Sequence, residues 1–181
     1  MEIWSPRLLV TSEITPWRDW LTTGGSLSER IRQRCGTDFR VQPVFQGRAP
    51  ARPDELARLN LPPGARPLVR EVILFDGNTP LVFARSLASI DDLNGPWRGL
   101  RGLGSRPLAT MLFADPGIRR GDLEFRQLSK RSALHARARK SVTPLPNQLW
   151  ARRSIFFRCG APLMVTEAFL PGILELEPPR G

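Results

Sequence analysis

The apolar positions of the chain fall into short runs broken by turn residues, and two pairs of runs stand out. Residues 68–75 and 81–87 are mostly apolar and flank Asp76-Gly77-Asn78, a turn sequence that suits a β-hairpin. Residues 149–158 and 163–170 repeat the arrangement around Cys159-Gly160, and Pro171 ends the last run. Weaker signals predict strands at 39–46 and 122–128. Helical signals are brief. Thr15-Pro16 opens a turn carrying Trp17 and Trp20, Ser26 and Glu29 have capping-box spacing for a helix through Arg34, and 54–59 and 108–113 each predict a short helix. Gly24-Gly25 is a flexible joint, and Pro50, Pro53, Pro62, Pro63 and Pro67 mark a surface connection. Segment 129–148 has almost no large apolar residues, carries Lys130, Arg131, Arg137, Arg139 and Lys140, and reads as a basic, mobile insertion. Strands in hairpin order, without strand-helix-strand alternation, predict an α+β fold on one antiparallel sheet.

With 181 residues the chain has the size of one domain, taken as 1–181. No apolar run approaches the roughly 18 residues of a membrane span, and Glu2, Pro6 and Arg7 interrupt the start, so a cytoplasmic location with no membrane span is expected. Cys35 and Cys159 lack a second cysteine or histidine at zinc-ligand spacing and read as reduced thiols. Charge is the unusual quantity: 27 basic against 17 acidic residues give +10, with lysine only at 130 and 140. From Arg119 to Arg158, eleven bases meet two acids, Asp122 and Glu124. A polyanionic partner and a plain arginine-rich composition explain this equally well. Aromatic residues interleave the basic run too sparsely for a nucleic-acid platform, so nucleic acid is not the expected partner.

A single histidine, His135, and no tyrosine leave no Ser-His-Asp triad and no histidine metal site. There is no Gly-x-x-x-x-Gly-Lys loop, and the glycines of 99–104 lack dinucleotide spacing, so neither cofactor nor metal is expected. What remains is charge on strand faces that are otherwise apolar. Period two puts Arg70 with Leu68, Val72 and Leu74, and Glu71 on the other face with Val69, Ile73 and Phe75. Arg85 falls with Leu81, Phe83 and Leu87, and Glu167 with Leu163, Val165 and Phe169. Such charges need partners. They can pair between strands as structural ion pairs, or an arginine can hold a ligand carboxylate in a closed pocket while Glu167 faces the ligand's other end. Periodicity leaves both open.

Trp150-Ala-Arg-Arg-Ser154 and the stretch Cys159-Gly-Ala-Pro-Leu-Met-Val-Thr-Glu-Ala-Phe-Leu-Pro171 resemble the carboxyl-terminal strands of bacterial chorismate pyruvate-lyases. Residues 68–74 are similar to that family's Arg-Glu-Ile-Leu strand, Ala84-Arg-Ser to its next strand, and 103–113 to its Leu-Gly-x-x-Pro-Leu segment, all in the family's order. The resemblance covers most of 15–171. It is weaker before Pro67, and it departs from the family at 129–148, which is longer and more basic, and around the amino-terminal flap at 24–29.

The resemblance implies a single antiparallel sheet of about six strands, with helices and flap loops covering a buried ligand pocket. It implies a carbon-oxygen lyase that splits chorismate into 4-hydroxybenzoate and pyruvate for ubiquinone biosynthesis, without cofactor or metal, and a monomer is expected. Carried over by position, Arg70 and Glu167 would be the catalytic pair. Arg70 would bind the ring carboxylate, backbone groups of Leu27 and Leu108 would help enclose that end, and Glu167 would meet the C4 hydroxyl. Chorismate is a dianion, so its enolpyruvyl carboxylate needs a second cation. Arg85, on the partner strand of Arg70, is the candidate, with a salt bridge to Glu71 or Glu167 as its structural alternative. The competing reading is a non-catalytic small-acid sensor related to the effector domains of transcription regulators, although the first 38 residues are too short for the winged DNA-binding domain such sensors normally carry.

Overall fold

The computed structural model describes residues 3–8 and 11–179. Two helices come first, α1 (Arg18–Thr22) and α2 (Leu27–Cys35), followed by β1 (Phe39–Arg48), α3 (Pro53–Arg58) and the hairpin β2 (Leu68–Asp76) and β3 (Thr79–Ala88). Then come α4 (Ala109–Leu112), β4 (Ile118–Arg120), β5 (Glu124–Ser129), α5 (Ala133–Ser141) and a second hairpin, β6 (Gln148–Arg158) and β7 (Ala161–Phe169). One sheet holds all seven strands in the order β1-β2-β3-β7-β6, with β4 and β5 lying one after the other along the outer edge of β6. Every pairing is antiparallel. Six of the strands answer to the six predicted from sequence. The seventh, β4, has three residues, too few to display a period.

Local chemistry accounts for the junctions. Ser26 caps α2, its Oγ accepting from the Glu29 N–H at 3.1 Å. The two residues joining β6 to β7, Cys159 (φ 49°) and Gly160 (φ 79°), are both left-handed, as the tightest hairpin turns require. In the first hairpin Phe75 pairs with Pro80 but Leu74 pairs with Val82, so Leu81 is an extra residue on β3.

Both faces of the sheet are covered. On one face Val72, Leu74, Val82 and Phe169 pack with Trp20, Leu21, Leu27 and Ile31 of α1 and α2. On the other, Ile73, Phe83 and Ala168 pack with Leu134 and Ala138 of α5. Segment 129–148, expected to be a mobile insertion, therefore contains a helix seated on the sheet. Its apolar stripe is one leucine and one alanine four residues apart, too narrow to stand out among the basic residues. One of those bases, Arg137, reaches the Glu71 carboxylate with bonds of 2.5 and 2.7 Å. Among the described residues, no helix is long and apolar enough to cross a membrane.

Both cysteines are free. Cys35 is partly buried, and desolvation followed by the neighbouring Asp76 and Asp38 carboxylates pushes its thiol up to about 11, whereas Cys159 is exposed at a hairpin tip. A thiol reacts as the thiolate. Ellman's reagent at pH 8 is therefore expected to titrate one thiol rapidly in the native protein and the second far more slowly until the protein is unfolded. Two equally fast thiols would contradict this placement.

Candidate active site

Strand parity and register assemble the site. Arg70 lies opposite Ser86, Val72 opposite Ala84, Ala84 opposite Glu167, and Glu167 opposite Arg152, so all six side chains emerge from the α1/α2 side of the sheet. A cavity of about 610 Å³, its mouth included, stands over them. Leu27 at the start of α2, Leu108 before α4, Arg120 at the end of β4, and the apolar side chains of Leu74, Phe156 and Val165 also border it. Four of the expected site residues, Leu27, Arg70, Leu108 and Glu167, thus meet at one hollow.

Arg70 is 3% exposed. Its Nη2 donates to the carbonyls of Gly104 (2.9 Å) and Arg106 (3.0 Å), and its Nε is buried without a hydrogen bond. No carboxylate pairs with it among the described residues, and burial pulls its pKa down. A desolvated cation held only by carbonyl oxygens gains from any anion that reaches it.

Glu167 stands across the cavity with its side chain 16% exposed, and its Oε2 accepts from Arg152 Nε at 2.6 Å. Arg152 is wholly buried. Its Nη1 donates to three carbonyls, those of Trp20 (3.2 Å), Leu21 (3.1 Å) and Thr23 (2.9 Å), where the end of α1 leaves acceptors unsatisfied. One guanidinium therefore fixes both the carboxylate and the segment leading to the Gly24-Gly25 joint. Arg120 is the third cation. Its Nε donates to Ser154 Oγ at 2.9 Å, its Nη1 to the Gly25 carbonyl at 3.2 Å, and its guanidinium lies 5.4 Å from the centre of the Phe156 ring. Burial lowers its pKa; Glu167 opposes that shift and Arg152 adds to it.

Arg85 takes a different place from the one expected. Residue 85 borders the cavity, but its guanidinium serves the opposite face of the sheet, donating to Glu55 Oε1 at 3.0 Å and to Glu71 Oε1 at 2.6 Å. Burial works against its charge, and the Glu55 and Glu71 carboxylates outweigh it, raising the pKa. The extra residue Leu81 is the cause: it advances the register by one, setting Arg85 opposite Glu71, where an unbroken ladder would set it opposite Arg70. The interstrand salt bridge to Glu71 is what forms, and the cations that join Arg70 at the cavity are Arg120 and Arg152. Sequence reasoning passed over both. Arg152 belongs to the Trp150–Ser154 block, whose resemblance assigns it no role, and Arg120 sits on a strand too short to assign a face.

Residues 3–177 match the family model described as chorismate lyase. A protein of Nitrosospira multiformis named probable chorismate pyruvate-lyase is 45% identical over 174 residues, which cover 96% of this chain and 95% of that one. A Nitrosomonas europaea protein of the same name is 48% identical over 157 residues, 87% of this chain and 88% of that one. Among solved structures, the effector domain of PhnF from Mycobacterium smegmatis is similar with a TM-score of 0.57 and 14% identity, covering 82% of this chain and 91% of that one. A GntR-family transcriptional regulator from Bacillus cereus gives 0.55 and 11% over 80% of this chain and 100% of that one. Those two likenesses show a shared fold. The family match runs from residue 3 to residue 177 and takes in every side chain named at the cavity, so the chain belongs to the chorismate lyase family.

Proposed function

We propose that the chain is a chorismate pyruvate-lyase that eliminates pyruvate from chorismate and releases 4-hydroxybenzoate, the ring precursor for ubiquinone. The observation that carries this reading is a buried guanidinium without a carboxylate partner, Arg70, facing a fixed carboxylate, Glu167, across one apolar-walled cavity. Chorismate is a dianion. Three guanidiniums at the cavity (Arg70, Arg120, Arg152) against one carboxylate (Glu167) leave two positive charges, the complement of such a ligand.

In the reaction the C4–H pair becomes the third double bond of the ring and the C3–O bond breaks. The ether oxygen becomes the ketone of pyruvate, and the methylene carbon takes the hydrogen lost from C4. Aromatisation supplies the driving force, so the protein's task is orientation and the offset of charge in a site shielded from water. Arg70 binds the ring carboxylate. Leu108 and the Leu27 amide, one of the first four of α2 that lack an intrahelical acceptor, enclose that end. Glu167, held by Arg152, positions the C4 hydroxyl. The segment around Gly24 to Glu29 serves as the flap. No cofactor or metal enters these steps, and the reading includes a single domain of residues 1–181 acting as a cytoplasmic monomer.

The test is absorbance of a chorismate solution after addition of the protein in the presence of a chelator. Growth of 4-hydroxybenzoate is expected. Chorismate that binds without conversion would favour the sensor reading suggested by the regulator-like fold. The product keeps both groups that meet Arg70 and Glu167, so added 4-hydroxybenzoate is expected to inhibit competitively. Initial rates indifferent to it would show that those two contacts are not made.

A further inference from the structure

We infer that Arg120 is the specificity-determining residue that distinguishes chorismate from its aromatic product by taking the enolpyruvyl carboxylate. This rests on the lyase reading above and goes beyond it, because neither the ring carboxylate nor the C4 hydroxyl requires a third charged group. The enolpyruvyl ether leaves the ring from C3, next to C4, so its carboxylate must lie beside the Glu167 end of the cavity. Arg120 is at that end. The hydroxyl that holds it, Ser154 Oγ, is two residues along β6 from Arg152 and on the same face, about 7 Å away by strand geometry. Arg152 is itself bonded to Glu167 at 2.6 Å.

The other cations are committed elsewhere. Arg85 is paired with Glu55 and Glu71 on the far face, Arg70 is at the opposite end, and Arg152, whose buried Nη2 also lacks a hydrogen-bond partner, has its charge offset by the Glu167 carboxylate it bonds through Nε and gives Nη1 to three carbonyls. Arg120 makes one bond through Nε and one through Nη1, forms no ion pair among the described residues, and keeps Nη2 without a hydrogen-bond partner among them. Its Nε contact with Ser154 and its packing against Phe156 fix the plane of the guanidinium, so a carboxylate meeting it would lose little additional freedom on binding. As the C3–O bond breaks, its electron pair departs with the side chain that Arg120 holds, and the same cation offsets that charge without transferring a proton.

The experiment compares two ligands on one variant. For Arg120→Met, kcat/KM for chorismate is expected to fall by about 100-fold, while the Kd of 4-hydroxybenzoate, which lacks the enolpyruvyl group, changes by less than about threefold. Arg120→Lys is expected to recover part of the chorismate loss. Arg120 also holds the Gly25 carbonyl, and a purely structural latch would weaken both ligands alike. An equal loss for both, or an unchanged kcat/KM, would overturn the inference. Should Arg120→Met fail to fold, as judged by thermal melting, Ser154→Ala removes only the hydroxyl that orients the guanidinium. It is expected to lower kcat/KM for chorismate by about three- to tenfold with the product Kd unmoved, and loss of product affinity in that variant would count against the assignment. Equilibrium binding of chorismate keeps the two proposals apart. A wild-type protein that binds chorismate without converting it refutes the lyase reading, and the ratio of chorismate to product affinity in Arg120→Met still decides the role of Arg120.

Discussion

Arg70→Ala is expected to lower kcat/KM for chorismate and to weaken 4-hydroxybenzoate binding by similar factors, while the folded protein keeps its melting temperature or gains on it. Truncating one partner of a buried, hydrogen-bonded charge pair costs about 2–5 kcal/mol, roughly 30- to 4,000-fold in affinity. Substrate and product share the ring carboxylate, so both should suffer. The stability half of the prediction follows from the unliganded site. Arg70 is 3% exposed, meets only two carbonyls, carries a buried Nε with no acceptor, and has its pKa depressed by burial. Folding therefore desolvates a cation without supplying a carboxylate, a cost that alanine removes. Calorimetric melting and fluorescence titration with 4-hydroxybenzoate on the same preparation check both halves. A variant that binds product normally but melts well below wild type would make Arg70 a structural residue and leave the cavity without its carboxylate anchor.

The two hairpins were legible in the sequence because their runs are long, apolar and separated by turn residues, and the capped start of α2 because Ser26 and Glu29 bond as their spacing implies. Arg70 and Glu167 were legible as charges on apolar strands. Helix α5 was hidden because Leu134 and Ala138 alone make its buried apolar stripe, and β4 because three residues carry no period. Arg85 was misplaced for a subtler reason. Period two tells which residues of one strand share a face, but the face shared between strands depends on register, and the single extra residue Leu81 moves Arg85 to the side of Glu71. A bulge of that kind leaves no mark in composition or alternation. Arg120 escaped because its role depends on the distant Ser154 and Gly25, contacts made only when β4 docks on β6.

Arg85→Met should do the reverse of Arg70→Ala, lowering stability while leaving the chemistry of the folded fraction intact. Its guanidinium joins Glu55, which is wholly buried, to Glu71, which is 3% exposed, with bonds of 3.0 and 2.6 Å. Removing it leaves two carboxylates in a desolvated layer between β2, β3 and α3. Breaking a buried pair from one side costs about 3–5 kcal/mol. The low end is expected because each acid retains another arginine, Arg52 at 2.9 Å for Glu55 and Arg137 for Glu71. About 3 kcal/mol in a domain of this size corresponds to a fall in Tm of roughly 6–12 °C. The chorismate KM of the folded protein, assayed well below that temperature, is expected to stay within about threefold of wild type, since the group lies across the sheet from the cavity. Adding Glu71→Gln to Arg85→Met should recover part of the lost stability by removing one stranded charge, and only an ion-pair role for Arg85 yields that recovery. Should Arg85→Met instead melt like wild type and lose its affinity for chorismate, the register at Leu81 would be wrong by one residue and Arg85 would return to the cavity beside Arg70.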